Sequence, residues 1–396
     1  MGASDKKHWK PATQLVRGGL ERSQHGETSE ALYLTSGYAY DSAEQAAARM
    51  AGDEPGFVYS RYANPTVRML EERLALLEGA ETCRVTASGM GAISTAMIAP
   101  CQTGDRVVAA SALFGSCRHI CSNILPRYGV ETEFVIGADM EAWKRALSKP
   151  TRLVLLESPS NPLLEAVDIE AVAKLAHAAG ALLVVDNVFA TPIFQKPLDL
   201  GADVSVYSAT KHMDGQGRVL AGAILGQSEF VEEFIDPWLR HTGPAPSPFN
   251  AWVVLKGLET LDLRVRQAAR QAADVADAIA AHANVKAVRY PGRPDHPHYA
   301  VHQKQMETGG TLVAFSVKGA RPEAFKVLNA LKMIDISNNL GDAKSLACHP
   351  CSTTHRTLSE QEQADMGLDD SWIRLSIGLE DVADIRGDIL QALDVI

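Results

Sequence analysis

The sequence predicts an α/β protein built on a mostly parallel sheet, with a smaller α+β unit at its C-terminal end. Three observations carry this. Short runs of β-branched and apolar residues recur between 106 and 225 with helical segments between them, the alternation that crossover helices impose on parallel strands. After a long alanine-rich helical stretch, from about Leu255 to Ala283, the rhythm changes to short strands interspersed with helices. A chain of 396 residues also exceeds one ordinary domain.

In chain order, residues 1–60 show weak periodicity and many small or polar residues, and they read as an N-terminal arm that lies on a neighbouring subunit. Asn64-Pro65-Thr66 opens a helix to about Glu78, with Leu70, Leu74 and Leu77 at helical spacing and Gly79 as its stop. Strands follow at 106–110, 132–136, 152–156, 182–185, 204–207 and 220–225. Asp168 is placed to cap the clearest connecting helix, whose face is Ile169, Val172, Leu175 and Ala176, and Gly180 ends it. The main α/β domain is thus 61–255. The C-terminal α+β domain is 256–396, with strands at 310–317 and 372–376 and helices near 322–331 and 380–393.

Bulk properties exclude several classes. A formal net charge of −10 without a basic block argues against a nucleic-acid partner. No apolar run approaches the length of a spanning helix, and the N-terminal residues carry charge without the apolar core of a secretory signal, so a cytoplasmic protein is expected. Six cysteines in this length fit reduced thiols. Cys348-His349-Pro350-Cys351 and the histidines at 296, 298 and 302 lack the partners a zinc or redox site needs, and no metal is expected.

The chemistry gathers at strand ends. The run 203–207 delivers Lys211, and the run 181–185 delivers Asp186, to one edge of the sheet. An amine and a carboxylate meeting there suit pyridoxal phosphate: the amine takes the cofactor's aldehyde, and the carboxylate keeps the pyridine nitrogen protonated. A buried ion pair is the plainer alternative. The phosphate needs an anion site, and Ser88-Gly89-Met90-Gly91 opens a helix whose free amides supply one. Ser208 and Thr210 flank Ala209 beside it. A dinucleotide fingerprint fails, because Ser94 stands where a third glycine or alanine is wanted and no acid closes a following strand about 20 residues on. Phe114, after the strand at 106–110, is a candidate to cover the ring. Arg118 is a candidate for a distal carboxylate of the substrate, with a solvated helix position as its alternative.

Five separated motifs resemble one family: Ser208-Ala209-Thr210-Lys211-His212, Asp186-Asn187, Glu157-Ser158-Pro159-Ser160-Asn161-Pro162, Tyr59 to Thr66, and Arg374 to Glu380. They are similar, in order and over nearly the whole chain, to the cystathionine γ-synthase-like pyridoxal phosphate enzymes of cysteine and methionine metabolism. The resemblance implies the aspartate aminotransferase-like fold, type I, with a seven-stranded, mostly parallel sheet. It also implies roles: Lys211 as the cofactor lysine and proton carrier, Asp186 on the pyridine nitrogen, and Gly89, Met90, Ser208 and Thr210 on the phosphate. Tyr59 and Arg61 would reach a neighbour's phosphate, making a dimer the smallest active unit and a homotetramer the usual assembly. Asn161 would lie near the ring hydroxyl, Asn339 near the substrate carboxylate, and Arg374 would clamp that carboxylate through its planar fork. The implied reaction is γ-replacement on an acyl-homoserine with sulfide in methionine biosynthesis. The succinyl ester is the first expectation; the acetyl ester, cysteine as nucleophile, a γ-lyase and an inactive scaffold stay open. Phe114, Val188 and Asn339 depart from the tyrosine, threonine and serine common at these positions.

Overall fold

Seven strands form the large sheet, and the computed structural model, which describes residues 8–396, gives their order as β1-β7-β6-β5-β4-β2-β3. They are β1 (Thr82–Thr86), β2 (Arg106–Ala110), β3 (Glu131–Val135), β4 (Leu153–Glu157), β5 (Leu182–Asp186), β6 (Val204–Tyr207) and β7 (Gly222–Gly226). Strands β2 to β6 pair in parallel, and helices cover both faces, so Leu153 to Leu156 are wholly buried. The exception is β7, which runs antiparallel to both β1 and β6. The chain reverses direction in strand order between β2 and β4, and the crevice outside the carboxyl ends at such a reversal is where these sheets bind ligands.

Sequence periodicity missed β1. Its residues, Thr-Cys-Arg-Val-Thr, bury alternately, and Arg84 points to a surface ion pair with Asp236 at 2.6 Å, so the run lacks the continuous apolar character that marked the central strands. The single helix expected over 255–283 is two, Pro248–Leu258 and Leu261–Ala280, joined through Glu259 and Thr260. The helix at Pro65–Glu78 has Asn64 as its cap, with the side-chain oxygen accepting from Thr66 N at 2.9 Å, and Gly79 ends it with φ +87°. Asp168 likewise caps the helix Ile169–Ala178.

The second sheet, in the order β10-β11-β12-β9-β8, contains β8 (Val285–Arg289), β9 (Leu312–Val317), β10 (Asp335–Ile336), β11 (Leu346–Cys348) and β12 (Trp372–Ser376). The helices Leu261–Ala280, Arg321–Ala330 and Val382–Leu393 pack on it around Phe315, Ile373 and Ile385.

The arm is not unburied on its own chain. Residues 1–7 lie outside the described residues, but the helix Pro11–Arg17 inserts Leu15, 1% exposed, against Pro65–Glu78. Arg73 on that helix is fully buried; it donates to Gly18 O at 2.7 Å and Leu255 O at 3.2 Å, and it pairs with Glu30. Lys256 reaches the same carboxylate at 3.1 Å. Beyond Tyr33 the segment changes character: Leu34, Met50, Tyr59 and Tyr62 are exposed.

Candidate active site

A cavity of about 840 Å³ opens at the carboxyl ends of β2, β4, β5 and β6. It gathers Ser88, Gly89, Met90, Phe114, Asn161, Asp186, Ser208, Thr210, Lys211, Asn339 and Arg374 from elements scattered over almost 300 residues. Its size suits a cofactor with a substrate.

The phosphate end is built from close backbone approach. Ser88 caps the helix Gly89–Ile98, its hydroxyl oxygen accepting from Gly91 N at 3.1 Å. A Cβ on Gly89 would stand 2.5 Å from Ser208 Cβ, so only glycine lets the helix start and the turn after β6 share one corner. Thr210 fixes that turn by exchanging hydrogen bonds with the backbone of Ala221 at 3.2 and 3.1 Å. Helix amides, a capping hydroxyl and Ser208 thus face one anion position.

At the other end stand the two acids. Asp186 ends β5 and accepts from Val188 N at 3.1 Å. Glu157 ends β4, in register with it, and accepts from Phe114 N at 2.9 Å and Asn161 N at 2.8 Å. Burial raises both carboxyls, and Asp186's charge raises Glu157 further, well above the usual carboxylate range. One negative charge therefore resides on the pair at neutral pH, carried by Asp186. A protonated ring nitrogen offers that charge a partner. Glu157 entered the sequence analysis only as part of a motif. The signal that could have found it is its register across β4 and β5.

Lys211 donates to Asn339 Oδ1 at 2.5 Å, and no carboxylate pairs with it among the described residues. Burial, and then the charge of Arg374, lower its pKa to about 8. Arg374 is 1% exposed on β12; Nη1 donates to Asn161 Oδ1 at 2.8 Å and Nη2 to the carbonyls of Asn338 and Asn339 at 3.1 and 3.3 Å. Its Nε is buried without a partner. A buried guanidinium, oriented by neutral groups and left with a free donor at a cavity wall, has the chemistry to receive a carboxylate.

Three candidates lie elsewhere. Tyr59 and Arg61 do not line this cavity; Arg61 stacks 4.8 Å from the Tyr62 ring and donates to Arg240 O. Arg118 is also outside it, pairing with Glu362 at 2.8 Å, donating to Ser111 O at 3.0 Å and stacking on Phe134. Its guanidinium, expected to hold a distal carboxylate, is paired here with an internal one. Thr353, Thr354, Arg356 and Thr357, none of them singled out from the sequence, line the cavity instead. Cys348 and Cys351 are free buried thiols, and no group of His, Cys, Asp and Glu is arranged to hold a metal among the described residues.

A lysine of lowered basicity, a charged carboxyl at an adjacent strand end and a helix-capped anion corner define a pyridoxal phosphate site. Comparison with known proteins agrees. The family profile of the Cys/Met metabolism PLP-dependent enzymes matches residues 12–394. The chain is 54% identical over 386 residues to an O-succinylhomoserine sulfhydrylase of Mycobacterium tuberculosis, covering 96% of this chain and 95% of that one. It is 45% identical over 381 residues to the O-succinylhomoserine sulfhydrylase of Pseudomonas aeruginosa, covering 96% and 94%. A putative O-acetylhomoserine (thiol)-lyase of Campylobacter jejuni, whose crystal structure holds N'-pyridoxyl-lysine-5'-monophosphate, superposes with a TM-score of 0.93 at 30% identity, over 98% of this chain and 100% of that one. The chain belongs to the Cys/Met metabolism family of pyridoxal phosphate-dependent enzymes, and its fold is that of the fold type I members.

Proposed function

We propose that this enzyme replaces the γ-acyloxy group of O-succinyl-L-homoserine with sulfide, giving L-homocysteine and succinate. The observation that carries the reading is the joint presence in one cavity of Lys211, poised to be a neutral amine near pH 8, and the buried carboxylate receptor Arg374. The identity to two O-succinylhomoserine sulfhydrylases selects this reaction among those of the family.

When bound, pyridoxal phosphate supplies an electron sink for the amino acid's α-carbon. Ser88, Gly89, Met90, Ser208 and Thr210 would hold its phosphate, Phe114 would cover the ring, Asn161 would lie beside it, and Asp186 would hold a proton on the ring nitrogen. Arg374 would fix the substrate α-carboxylate, which sets the α-hydrogen toward Lys211. Lys211 Nζ takes that proton and moves protons between Cα and Cβ. A proton leaves Cβ and its electron pair forms the Cβ–Cγ double bond as the Cγ–O bond breaks and succinate departs with that bond's pair; hydrosulfide then adds at Cγ, a proton returns to Cβ, and the lysine returns the one at Cα. Asn339 Oδ1 gives the freed ammonium an acceptor.

In the same reading the enzyme is a cytoplasmic homotetramer, with Tyr59 and Arg61 of one subunit completing its neighbour's phosphate site. Support comes from the exposed apolar run of the arm, Leu34, Met50, Tyr59 and Tyr62, which lies away from its own chain's cavity. The test is product analysis: purified holoenzyme with sulfide and either acyl-homoserine. Homocysteine forming faster from the succinyl ester supports the reading. Greater turnover of the acetyl ester, or 2-oxobutanoate and ammonia without sulfide, overturns it.

A further inference from the structure

Three strongly basic side chains line the cavity: Lys211, Arg374 and Arg356. The first two have work assigned to them, and Arg356 has none. It is exposed, and no carboxylate or carbonyl engages its guanidinium among the described residues. That sets it apart from Arg118, whose charge is consumed by Glu362.

Its backbone, by contrast, is held firmly. The neighbouring His355 is wholly buried, with Nε2 against Asn161 O at 3.2 Å and Nδ1 against the Thr354 hydroxyl at 2.8 Å. Gln363 donates to His355 O at 3.1 Å. On the far side the segment lies across Gly115, where a Cβ would come 2.9 Å from Thr354 O. The Arg118–Glu362 ion pair then clamps the following helix to the segment after β2. A rigid mount thus carries an unpaired cation at the wall of the cavity, and the same Asn161 that anchors the mount orients Arg374.

We infer that Arg356 receives the distal carboxylate of the acyl group and sets the preference for a dicarboxylic ester. The inference deepens the proposed function and rests on it. With the α-carboxylate fixed at Arg374, the ester chain extends along the cavity and its terminal carboxylate requires a cation that nothing else uses. An acetyl ester has no such group, so Arg356 discriminates between the two substrates and takes no part in the proton transfers common to both.

The experiment compares kcat/KM of wild type, Arg356→Gln and Arg356→Lys holoenzyme on O-succinyl- and O-acetyl-L-homoserine with sulfide. Arg356→Gln is expected to lose about 10- to 100-fold on the succinyl ester, the range of one charge-assisted contact, and to leave the acetyl ester unchanged. Arg356→Lys recovers part of the loss. A second readout needs no turnover of the ester's acyl group: monomethyl succinate should compete with O-acetyl-L-homoserine in wild type and not in Arg356→Gln. Equal losses on both esters, no loss on the succinyl ester, or undiminished competition in the variant overturns the assignment. Failure of the wild-type enzyme to use the succinyl ester is a different result, which overturns the proposed reaction itself and this inference with it.

Discussion

Replacing Arg374 by lysine keeps the charge and removes the fork, which makes its cost a direct measure of two-pronged recognition. The guanidinium already spends Nη1 on Asn161 Oδ1 and Nη2 on two backbone carbonyls, and these contacts fix its plane; the free donor is Nε. A substrate carboxylate would gain Nε and one remaining guanidinium hydrogen. At about 1.5–3 kcal/mol for each hydrogen bond to a charged group, the receptor is worth about 3–6 kcal/mol, or about 10²- to 10⁴-fold in kcat/KM. Lysine retains roughly one of the two bonds, so Arg374→Lys should lose about 10- to 100-fold, and Arg374→Ala the larger amount. The assay is the initial rate of homocysteine release against acyl-homoserine concentration at saturating sulfide. The visible absorbance of the bound cofactor checks that each variant is loaded. Because the contact is with substrate, absorbance should stay while kcat/KM falls. A lysine variant within about threefold of wild type would refute the fork, since about 0.7 kcal/mol is less than one such bond.

Cofactor uptake by the apoprotein should depend on pH through Lys211. Only the neutral amine condenses with an aldehyde, and with burial and Arg374 lowering its pKa to about 8, uptake should rise with pH and level off above about 8. Stopped-flow absorbance checks this, and a rise that continues to the ordinary lysine range would contradict it. The arm's anchor gives a stability prediction. Arg73 and Glu30 have side chains 0% and 2% exposed, and removing the carboxylate leaves a buried guanidinium with only carbonyl partners. Glu30→Ala should therefore destabilise the fold by about 3–5 kcal/mol in urea titrations followed by fluorescence. Burial opposes ionisation of Glu30, but Arg73, with Lys256, outweighs it and holds the carboxyl below its ordinary value. The folded-state pKa is depressed, so this contribution is present above the ordinary glutamate range and lost as pH falls below it. Variant and wild type should converge in acid; a gap that stays constant on acidification would place the effect outside the ion pair.

The parts of the site legible in the sequence are those whose chemistry and position coincide. Asp186 closes β5, whose interior is an unbroken apolar run, and Lys211 lies in the turn that follows the buried strand β6, so both charges emerge at the sheet's edge. Gly89 was legible because a helix starting on small residues after a capping serine is a local pattern. The central parallel strands were visible because both their faces are buried, whereas β1, with Arg84 turned to the surface, blends into its surroundings. Groups whose meaning depends on a remote partner were not legible. Arg118 and Arg356 are both arginines near aromatic or polar neighbours, and nothing local says that one will meet Glu362, 244 residues away, and that the other will not. Glu157 has the same difficulty: a strand-end carboxyl looks like Asp186 until the register sets the two side by side. That placement has a chemical consequence. Two acids at adjacent strand ends cannot both ionise cheaply, so Glu157, buried and with Asp186's charge beside it, keeps its proton even though two backbone amides on its oxygens favour the carboxylate. Asp186 is left as the one full negative charge of the pair, which is the condition for it to hold a proton on a ring nitrogen while Lys211, short of any carboxylate, gives up its own.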